Sequence, residues 1–131
     1  MSREIEIARA AIEAFNRRDG AAFDALLAAD AEITPVRSAL EGTVYRGRTA
    51  GSDYCAAVDE SWEDLIWELE DIREGESWVL AMGRIRGSGR GSGATIDARG
   101  AWLVRFRGEL ITGFRTYPDR TQALRTVGLS E

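Results

Sequence analysis

The sequence predicts one α+β domain in which helices cover one face of a bent antiparallel sheet. Apolar residues recur at helical spacing in the first sixty positions and alternate with a period of two over residues 67–117. Helices that precede a run of strands are typical of α+β proteins, because the helices then pack together on one side of the sheet. A length of 131 residues is the usual size of one domain, and no linker or repeat divides the chain.

The helical part is expected to contain three helices and one short strand. The first helix is predicted over residues 3–17, because its apolar side chains form one stripe and its charged side chains lie largely elsewhere. Asp19 is placed to cap the second helix, and Thr49 or Ser52 is placed to cap the third. The remaining bounds are a helix at 21–28, a strand at 32–35, a loop through 41–42 and a helix ending near 60.

The second half is expected to contain four strands joined by tight connections. A bulge is predicted at Glu70-Asp71, where the alternation slips, and glycines inside the strands are expected to curl the sheet. The glycine-rich stretch 88–93 is interpreted as a hairpin tip, because no helix begins directly after it to bind a phosphate. The predicted strands cover residues 67–72, 78–87, 94–107 and 110–117, and a short terminal helix ends near 125.

Composition excludes several kinds of chemistry. The chain has no His, all 17 of its basic residues are Arg, and Cys55 is its one cysteine. A Ser-His-Asp or Cys-His relay, a lysine Schiff base and a multi-thiolate zinc site therefore cannot be built from a single chain. Acid–base work would fall to Asp, Glu, Tyr or Arg, with Ser or Thr as helpers, or to a bound cofactor, and the expectation is that the chain has neither a metal nor a cofactor.

Charge and hydropathy indicate the class of partner. A formal net charge of −5 without a basic stripe argues against a nucleic-acid partner. No apolar run approaches the roughly 20 residues that a membrane-spanning helix needs. The charged segment MSREIEIARA lacks the apolar core of a signal peptide. A cytoplasmic protein with no membrane partner is therefore expected.

Four short motifs in a fixed order carry a family resemblance. They are Ala14-Phe15-Asn16-Arg17-Arg18-Asp19-Gly20, Tyr45-Arg46-Gly47-Arg48, Arg115-Thr116-Tyr117-Pro118-Asp119-Arg120, and Ala123-Leu124 with Val127-Gly128-Leu129. Together they resemble the motifs of SnoaL-like (polyketide cyclase-like) proteins, a branch of the nuclear transport factor 2-like superfamily. The resemblance implies a cone-shaped, cystatin-like α+β barrel whose N-terminal helices pack on the concave face of a curved, mostly antiparallel sheet. It also implies a hydrophobic pocket for a small apolar molecule, and a homodimer.

The resemblance directs attention to the catalytic residues of its relatives. In an approximate alignment the general base of ketosteroid isomerase falls near Pro35, and its two oxyanion donors fall near Ala11 and Trp102. The arginine of limonene epoxide hydrolase falls near Arg84, but its carboxylates fall on residues that are not acidic. Scytalone dehydratase needs a histidine, which this chain lacks. The well-defined catalytic sets are therefore not kept.

Strand alternation supplies candidate site residues. Arg84 is assigned to bind an enolate, phenolate or carboxylate through paired N–H donors, with a solvent-exposed sheet edge as the alternative. Asp119 is the candidate proton carrier, with an N-cap for the terminal helix as the alternative. If the aromatic strand faces point inward, the ligand-binding residues are Phe15, Tyr54, Trp67, Trp78, Leu80, Met82, Arg86, Trp102, Val104, Phe114 and Thr116. Core packing is the alternative role of the tryptophans.

Two functions remain open at this point. One is a cofactor-independent cyclase, isomerase or hydratase that acts on a small apolar or polyketide-like molecule, with Arg84 stabilising an anion and Asp119 or a tyrosine moving the proton. The other is a non-catalytic domain that binds a ligand or dimerises through an apolar outer face of the sheet. The residues assigned to that outer face are Val79, Ala81, Ile85, Leu103 and Ile111.

Overall fold

A computed structural model describes residues 2–35, 44–91 and 93–129 of the chain. The predicted loop through Glu41-Gly42 lies outside these residues. The described elements are α1 (Arg3–Asn16), α2 (Gly20–Asp24), β1 (Leu27–Thr34), β2 (Tyr45–Arg46), α3 (Ala50–Ser61), β3 (Ile66–Gly75), β4 (Trp78–Ser88), β5 (Thr95–Arg107), β6 (Leu110–Tyr117) and α4 (Arg120–Thr126). None of these helices is both long enough and apolar enough to span a membrane.

The strands form one curved, unclosed sheet in the order β2-β1-β6-β5-β4-β3. The last four strands make the predicted antiparallel meander, and β3 carries the predicted bulge, between Leu69 and Asp71. Strand β1 lies beside β6 in parallel. This topology confirms the predicted α+β class with helices on one face of a curved, mostly antiparallel sheet.

The predicted boundary between the second helix and the first strand is wrong. Helix α2 ends at Asp24, and β1 begins at Leu27 rather than at Glu32. Leu27 pairs with Ile111 of β6, and both side chains are buried. The residues from Leu27 onward have an apolar pattern that also suits a helix, but they join the sheet beside β6. Burial in the sheet outweighs their local helix propensity.

The helix caps agree with the prediction at two of three positions. The carboxylates of Asp19 and Asp119 accept backbone N–H groups at the starts of α2 and α4. Thr49 occupies the N-cap position of α3, but its side chain makes no capping hydrogen bond. Asp24 of α2 instead accepts the N–H of Ser52 at 2.9 Å, so one helix supplies the cap of the next.

Register determines which side chains face the helices. Val79 lies opposite Val104, and Ala81 lies opposite Trp102, so these four side chains share one face of β4 and β5. That inner face packs against α1 and α3. The buried strand residues of the inner cluster are Leu27, Ala31, Ile33, Trp67, Val79, Ala81, Ile85, Trp102, Val104, Phe106, Ile111 and Phe114.

The outer face of the sheet is covered in part by the terminal helix. Ala123 and Leu124 of α4 are fully buried against it. The buried residues of this outer cluster are Leu80, Met82, Ala101, Leu103, Tyr117, Ala123 and Leu124. The predicted apolar dimer face is therefore wrong, because Val79, Ala81, Ile85 and Ile111 lie on the inner face. Leu103 alone of that set lies on the outer face, and it is already buried.

Candidate functional site

Five aromatic side chains meet inside the fold around Trp67. Phe15 is stacked on Trp67 with ring centroids 3.7 Å apart and planes inclined by 10°. Phe114 lies nearly parallel to Trp67 at 5.7 Å, and Trp102 lies 4.9 Å away at 35°. Tyr54 packs on Phe15 at 5.3 Å. We call Phe15, Tyr54, Trp67, Trp102 and Phe114 the aromatic cluster; all five are buried.

Each member of the aromatic cluster comes from a different element. Phe15 belongs to the apolar stripe of α1, and Tyr54 belongs to the buried side of α3. Trp67, Trp102 and Phe114 project from β3, β5 and β6 onto the inner face. The helical and strand periodicities thus converge on one interior site.

Two polar groups next to these rings are also buried. Thr116 lies directly opposite Trp102 on the neighbouring strand and is the one polar or charged residue that is buried among those described. It interacts with the hydroxyl of Tyr54. Burial raises the pKa of Tyr54 well above its ordinary value of 10.0, and the interaction with Thr116 offsets only part of that rise. Tyr54 is therefore a neutral phenol at physiological pH.

The indole N–H of Trp102 is a buried donor without an acceptor. Trp102 is 0% exposed, and its Nε1 atom forms no hydrogen bond with any described residue. Buried tryptophan N–H groups usually find a partner, because leaving one unsatisfied costs about 1–3 kcal/mol. A donor of this kind inside an aromatic site can form a hydrogen bond with an acceptor atom of a bound ligand.

The interior site holds no buried charged residue in the part of the chain that the structure describes, although the half-buried guanidinium of Arg18 lies at its edge, over the Phe15 ring. No Asp, Glu or Arg there is buried, and no three potential metal ligands cluster together. The one thiol of this region, Cys55 of α3, is 4% exposed, and burial raises its pKa to about 11. The polar chemistry available to an interior ligand is therefore one N–H donor and two neutral hydroxyls.

Two residues that sequence reasoning did not single out hold the rings in place. The side chain of Asn16 is hydrogen-bonded to the backbone of Trp67 through two contacts of 2.9 Å. Arg18 lies over the ring of Phe15 at 4.7 Å and donates to the carbonyl oxygens of Phe15 and Leu65. Both residues stand in the first of the four motifs. Only their position in that motif signalled a role, because their partners are distant in sequence or belong to the main chain.

The structure separates the β4 candidates from the interior site. The predicted pocket roles of Trp78, Leu80, Met82, Arg84 and Arg86 are wrong, because all five lie on the outer face of β4. The guanidinium of Arg84 donates to the Asp97 carboxylate at 2.8 Å and 3.0 Å, and this ion pair raises the pKa of Arg84. Arg86 lies beside Glu68 and Asp97.

The remaining predicted residues divide as follows. Asp119 is exposed and accepts the N–H of Thr121 at 2.8 Å, so the structure assigns it the capping role that was its alternative. Val104 is buried on the inner face opposite Phe114. The predicted residues brought together inside are Phe15, Tyr54, Trp67, Trp102, Val104, Phe114 and Thr116.

Comparison with known families gives one extensive match. Residues 8–114 match the model of the SnoaL-like domain, which covers most of the chain. No protein with a curated function matches the chain significantly.

Solved structures share the whole fold. A protein of ketosteroid isomerase-like fold from Catenulispora acidiphila, in complex with trimethylamine, is 25% identical with a TM-score of 0.77, over 95% of this chain and 93% of that one. A candidate polyketide cyclase from Xanthomonas campestris is 24% identical with a TM-score of 0.71, over 96% and 97%. TerC, co-crystallised with polyporic acid, is 17% identical with a TM-score of 0.77, over 93% and 95%.

Proposed function

Because the chain belongs to the SnoaL-like domain family, we propose that it binds a small, planar and largely apolar molecule at the aromatic cluster. The observation that carries this proposal is the buried N–H of Trp102, which has no acceptor among the described residues. A ligand oxygen at this position would satisfy that donor and recover part of its desolvation cost.

The aromatic cluster favours a flat ligand. The contact of 3.7 Å between Phe15 and Trp67 leaves no space for a further ring between them, so this pair acts as one wall of the site. The ligand contacts the side where Trp102, Thr116 and Tyr54 meet, and the side chains there move apart to admit it. Binding therefore selects an opened arrangement of the interior, which makes association slower than diffusion.

The polar groups favour an oxygen acceptor over a cation. The Trp102 N–H is a donor only, and the hydroxyls of Tyr54 and Thr116 are neutral. No described carboxylate is buried beside them, so a cation would be desolvated without a counter-charge. A quinone or enone carbonyl fits this set, and polyporic acid, with which TerC was co-crystallised, carries quinone carbonyls.

The interior supports binding better than catalysis. An enolising cyclase or isomerase needs a base, and Tyr54, whose pKa is raised, remains protonated at neutral pH. The two catalytic candidates of the sequence lie elsewhere: Arg84 is paired with Asp97 on the outer face, and Asp119 caps α4. We therefore propose a binding domain, and a cofactor-independent enzyme is the alternative.

The test compares two tryptophan-to-phenylalanine variants with polyporic acid as the probe. Trp102→Phe keeps an aromatic ring, a smaller one, and removes the N–H donor, and we expect it to raise the dissociation constant about tenfold, the worth of one buried hydrogen bond. Trp78→Phe makes the same change on the outer face and should bind as the wild type does. Isothermal titration calorimetry measures both. Trimethylammonium chloride serves as the cationic probe and should not bind.

Either of two results would overturn the proposal. One is equal affinity of the wild type and the Trp102→Phe variant for polyporic acid when both bind measurably. The other is binding of trimethylammonium but not of polyporic acid, which would show that the interior selects cations through its rings.

Assembly and location remain predictions. We propose a homodimer on the strength of the family resemblance alone, because the residues assigned to the dimer face are buried within the protomer. Sedimentation at micromolar concentration measures this state directly, and a monomer there would contradict it. A cytoplasmic location without a nucleic-acid partner likewise rests on composition and charge.

A further inference from the structure

A groove crosses the outer face of the sheet, on the side away from the aromatic cluster. It has a volume of about 390 Å³ and is lined by residues of β1, β5 and β6 and by Thr126 at the end of α4. We propose that this groove binds a small dianion, such as a phosphate monoester or a dicarboxylate. The proposal does not depend on the function proposed for the interior.

The floor of the groove is a glycine between two longer side chains. Gly113 of β6 lies in register with Glu32 of β1 on one side and with Arg105 of β5 on the other. A methyl group added at Gly113 would meet only the Cβ of Arg105, at 3.8 Å, which is an ordinary contact. The missing side chain therefore creates a trough that the fold itself does not require.

Two acids and two arginines line the groove, and the acids are paired with arginines that lie outside it. Asp30 is paired with Arg107 through contacts of 2.9 Å and 3.1 Å, which lower the pKa of Asp30, and Glu32 lies 3.4 Å from Arg46. Both acids are thus neutralised by arginines outside the groove. Arg105 and Arg115 also line the groove, and neither forms an ion pair with a described residue. The groove keeps two positive charges on a protein of net charge −5.

Arg105 and Arg115 are diagonal neighbours on the outer face of β5 and β6. Arg115 lies opposite Leu103, and Arg105 follows two residues later on the same face of β5. Such diagonal neighbours are about 7–8 Å apart at the backbone, which long side chains can bridge. The guanidinium of Arg115 lies over the Tyr117 ring at 5.1 Å, on the side of Arg115 away from Gly113, so it must turn to bind a ligand together with Arg105.

The carbonyl groups at the C-terminal end of α4, next to the groove, do not repel an anion strongly. The carbonyl of Gln122 accepts from the Thr126 hydroxyl at 2.9 Å. Those of Leu124 and Arg125 accept from the backbone beyond the helix. These acceptors are therefore occupied, while neither groove arginine forms an ion pair with a described residue, so both can offer paired N–H···O contacts to a ligand. That donor set suits a phosphate or two carboxylates better than a monoanion.

The test is a titration of the isotope-labelled protein with phenyl phosphate and, separately, with succinate, at constant ionic strength. We expect a saturable shift of the Gly113 amide resonance. Arg105→Gln and Arg115→Gln should each weaken binding about tenfold. Gly113→Val should fill the trough and weaken binding at least as much without lowering stability. Arg99→Gln, an exposed arginine on the same strand outside the groove, is the matched control and should bind normally.

Four results would overturn the proposal. A linear shift that never saturates, or equal weakening by Arg99→Gln, would show only general attraction to a positive surface. Normal binding by the Gly113→Val variant would place the anion elsewhere. A wild-type dimer that Arg105→Gln converts to a monomer, with no response to either probe, would show that the groove receives a second copy of the chain. Saturation by one probe alone would decide between phosphate and dicarboxylate.

Discussion

The side-chain amide of Asn16 is hydrogen-bonded to both the N–H and the C=O of Trp67. The Asn16 Nδ2 atom donates to the Trp67 carbonyl at 2.9 Å, and the Trp67 N–H donates to Asn16 Oδ1 at 2.9 Å. The amide thereby substitutes for the neighbouring strand that β3 lacks at the edge of the sheet. Because Phe15 precedes Asn16, this contact also holds the ring of Phe15 against that of Trp67.

Removal of this amide should destabilise the fold. Asn16→Ala loses two half-buried hydrogen bonds and leaves the Trp67 N–H and C=O unsatisfied, so we expect a loss of about 2–3 kcal/mol in the free energy of unfolding. Urea denaturation followed by tryptophan fluorescence measures it. Arg17→Ala changes the exposed neighbour and should cost less than about 0.5 kcal/mol. Equal stability of the two variants would show that the amide contributes nothing.

The contact between Asn16 and Trp67 shows what the sequence could not predict. The motif that contains Asn16 was recognisable, and the helix and strand that carry the two residues follow from periodicity. Their hydrogen bonds join positions 51 residues apart, however, and no local pattern reports such a pairing. The order of the elements was therefore predictable, and the contacts that position the rings were not.

The error on β4 has a related physical cause. Strand β4 is buried on both faces, so Val79 and Leu80 are equally apolar and alternation cannot tell the inner face from the outer. Trp102 points inward, and because Ala81 lies opposite it, Ala81 and the residues that alternate with it lie on the inner face of β4. Register depends on the hairpin between β4 and β5, whose length the glycine-rich stretch did not define. Alternation alone therefore predicts the wrong face of the sheet for Arg84.

Two glycines provide a direct test of the backbone packing. A Cβ atom at Gly83 would lie 1.8 Å from the carbonyl oxygen of Glu68, because the bulge in β3 brings that carbonyl onto β4. Gly83→Ala should therefore destabilise the protein by more than about 3 kcal/mol or prevent folding. Gly113→Ala meets only the Cβ of Arg105, at 3.8 Å, and should leave the free energy of unfolding within about 0.5 kcal/mol of the wild-type value. Comparable stability of both variants would contradict the close approach.

The thiol of Cys55 should be unreactive in the folded state. Burial raises its pKa from the ordinary 9.0 to about 11, which leaves about a hundredfold less thiolate at pH 8, and 4% exposure restricts access further. Reaction with Ellman's reagent at pH 8 should be at least a hundredfold slower in buffer than in denaturant. A rate within tenfold of the unfolded protein would mean that α3 opens readily.

The same burial predicts a loss of stability at alkaline pH. The folded state holds the Cys55 thiol and the Tyr54 phenol protonated at pH values where the unfolded chain releases both protons. Their contribution to the free energy of unfolding is therefore complete below about pH 8, and it decreases as the pH rises from 9 to 11. Urea midpoints measured from pH 7 to pH 11 test this, with Cys55→Ala as the control that should show a shallower decline. A stability that rises from pH 7 to pH 11 would contradict the prediction.

The placement of Arg84 separates the interior site from the outer face. If the ligand binds at the aromatic cluster, Arg84→Gln should leave the affinity for polyporic acid unchanged, because the guanidinium lies on the opposite face and already holds Asp97. Asp97→Asn breaks the same exposed pair from the other side and should behave identically. Calorimetric titration of both variants decides the matter. Loss of binding in Arg84→Gln but not in Asp97→Asn would mean that Arg84 contacts the ligand. It would then support a catalytic role for Arg84 in stabilising an anion.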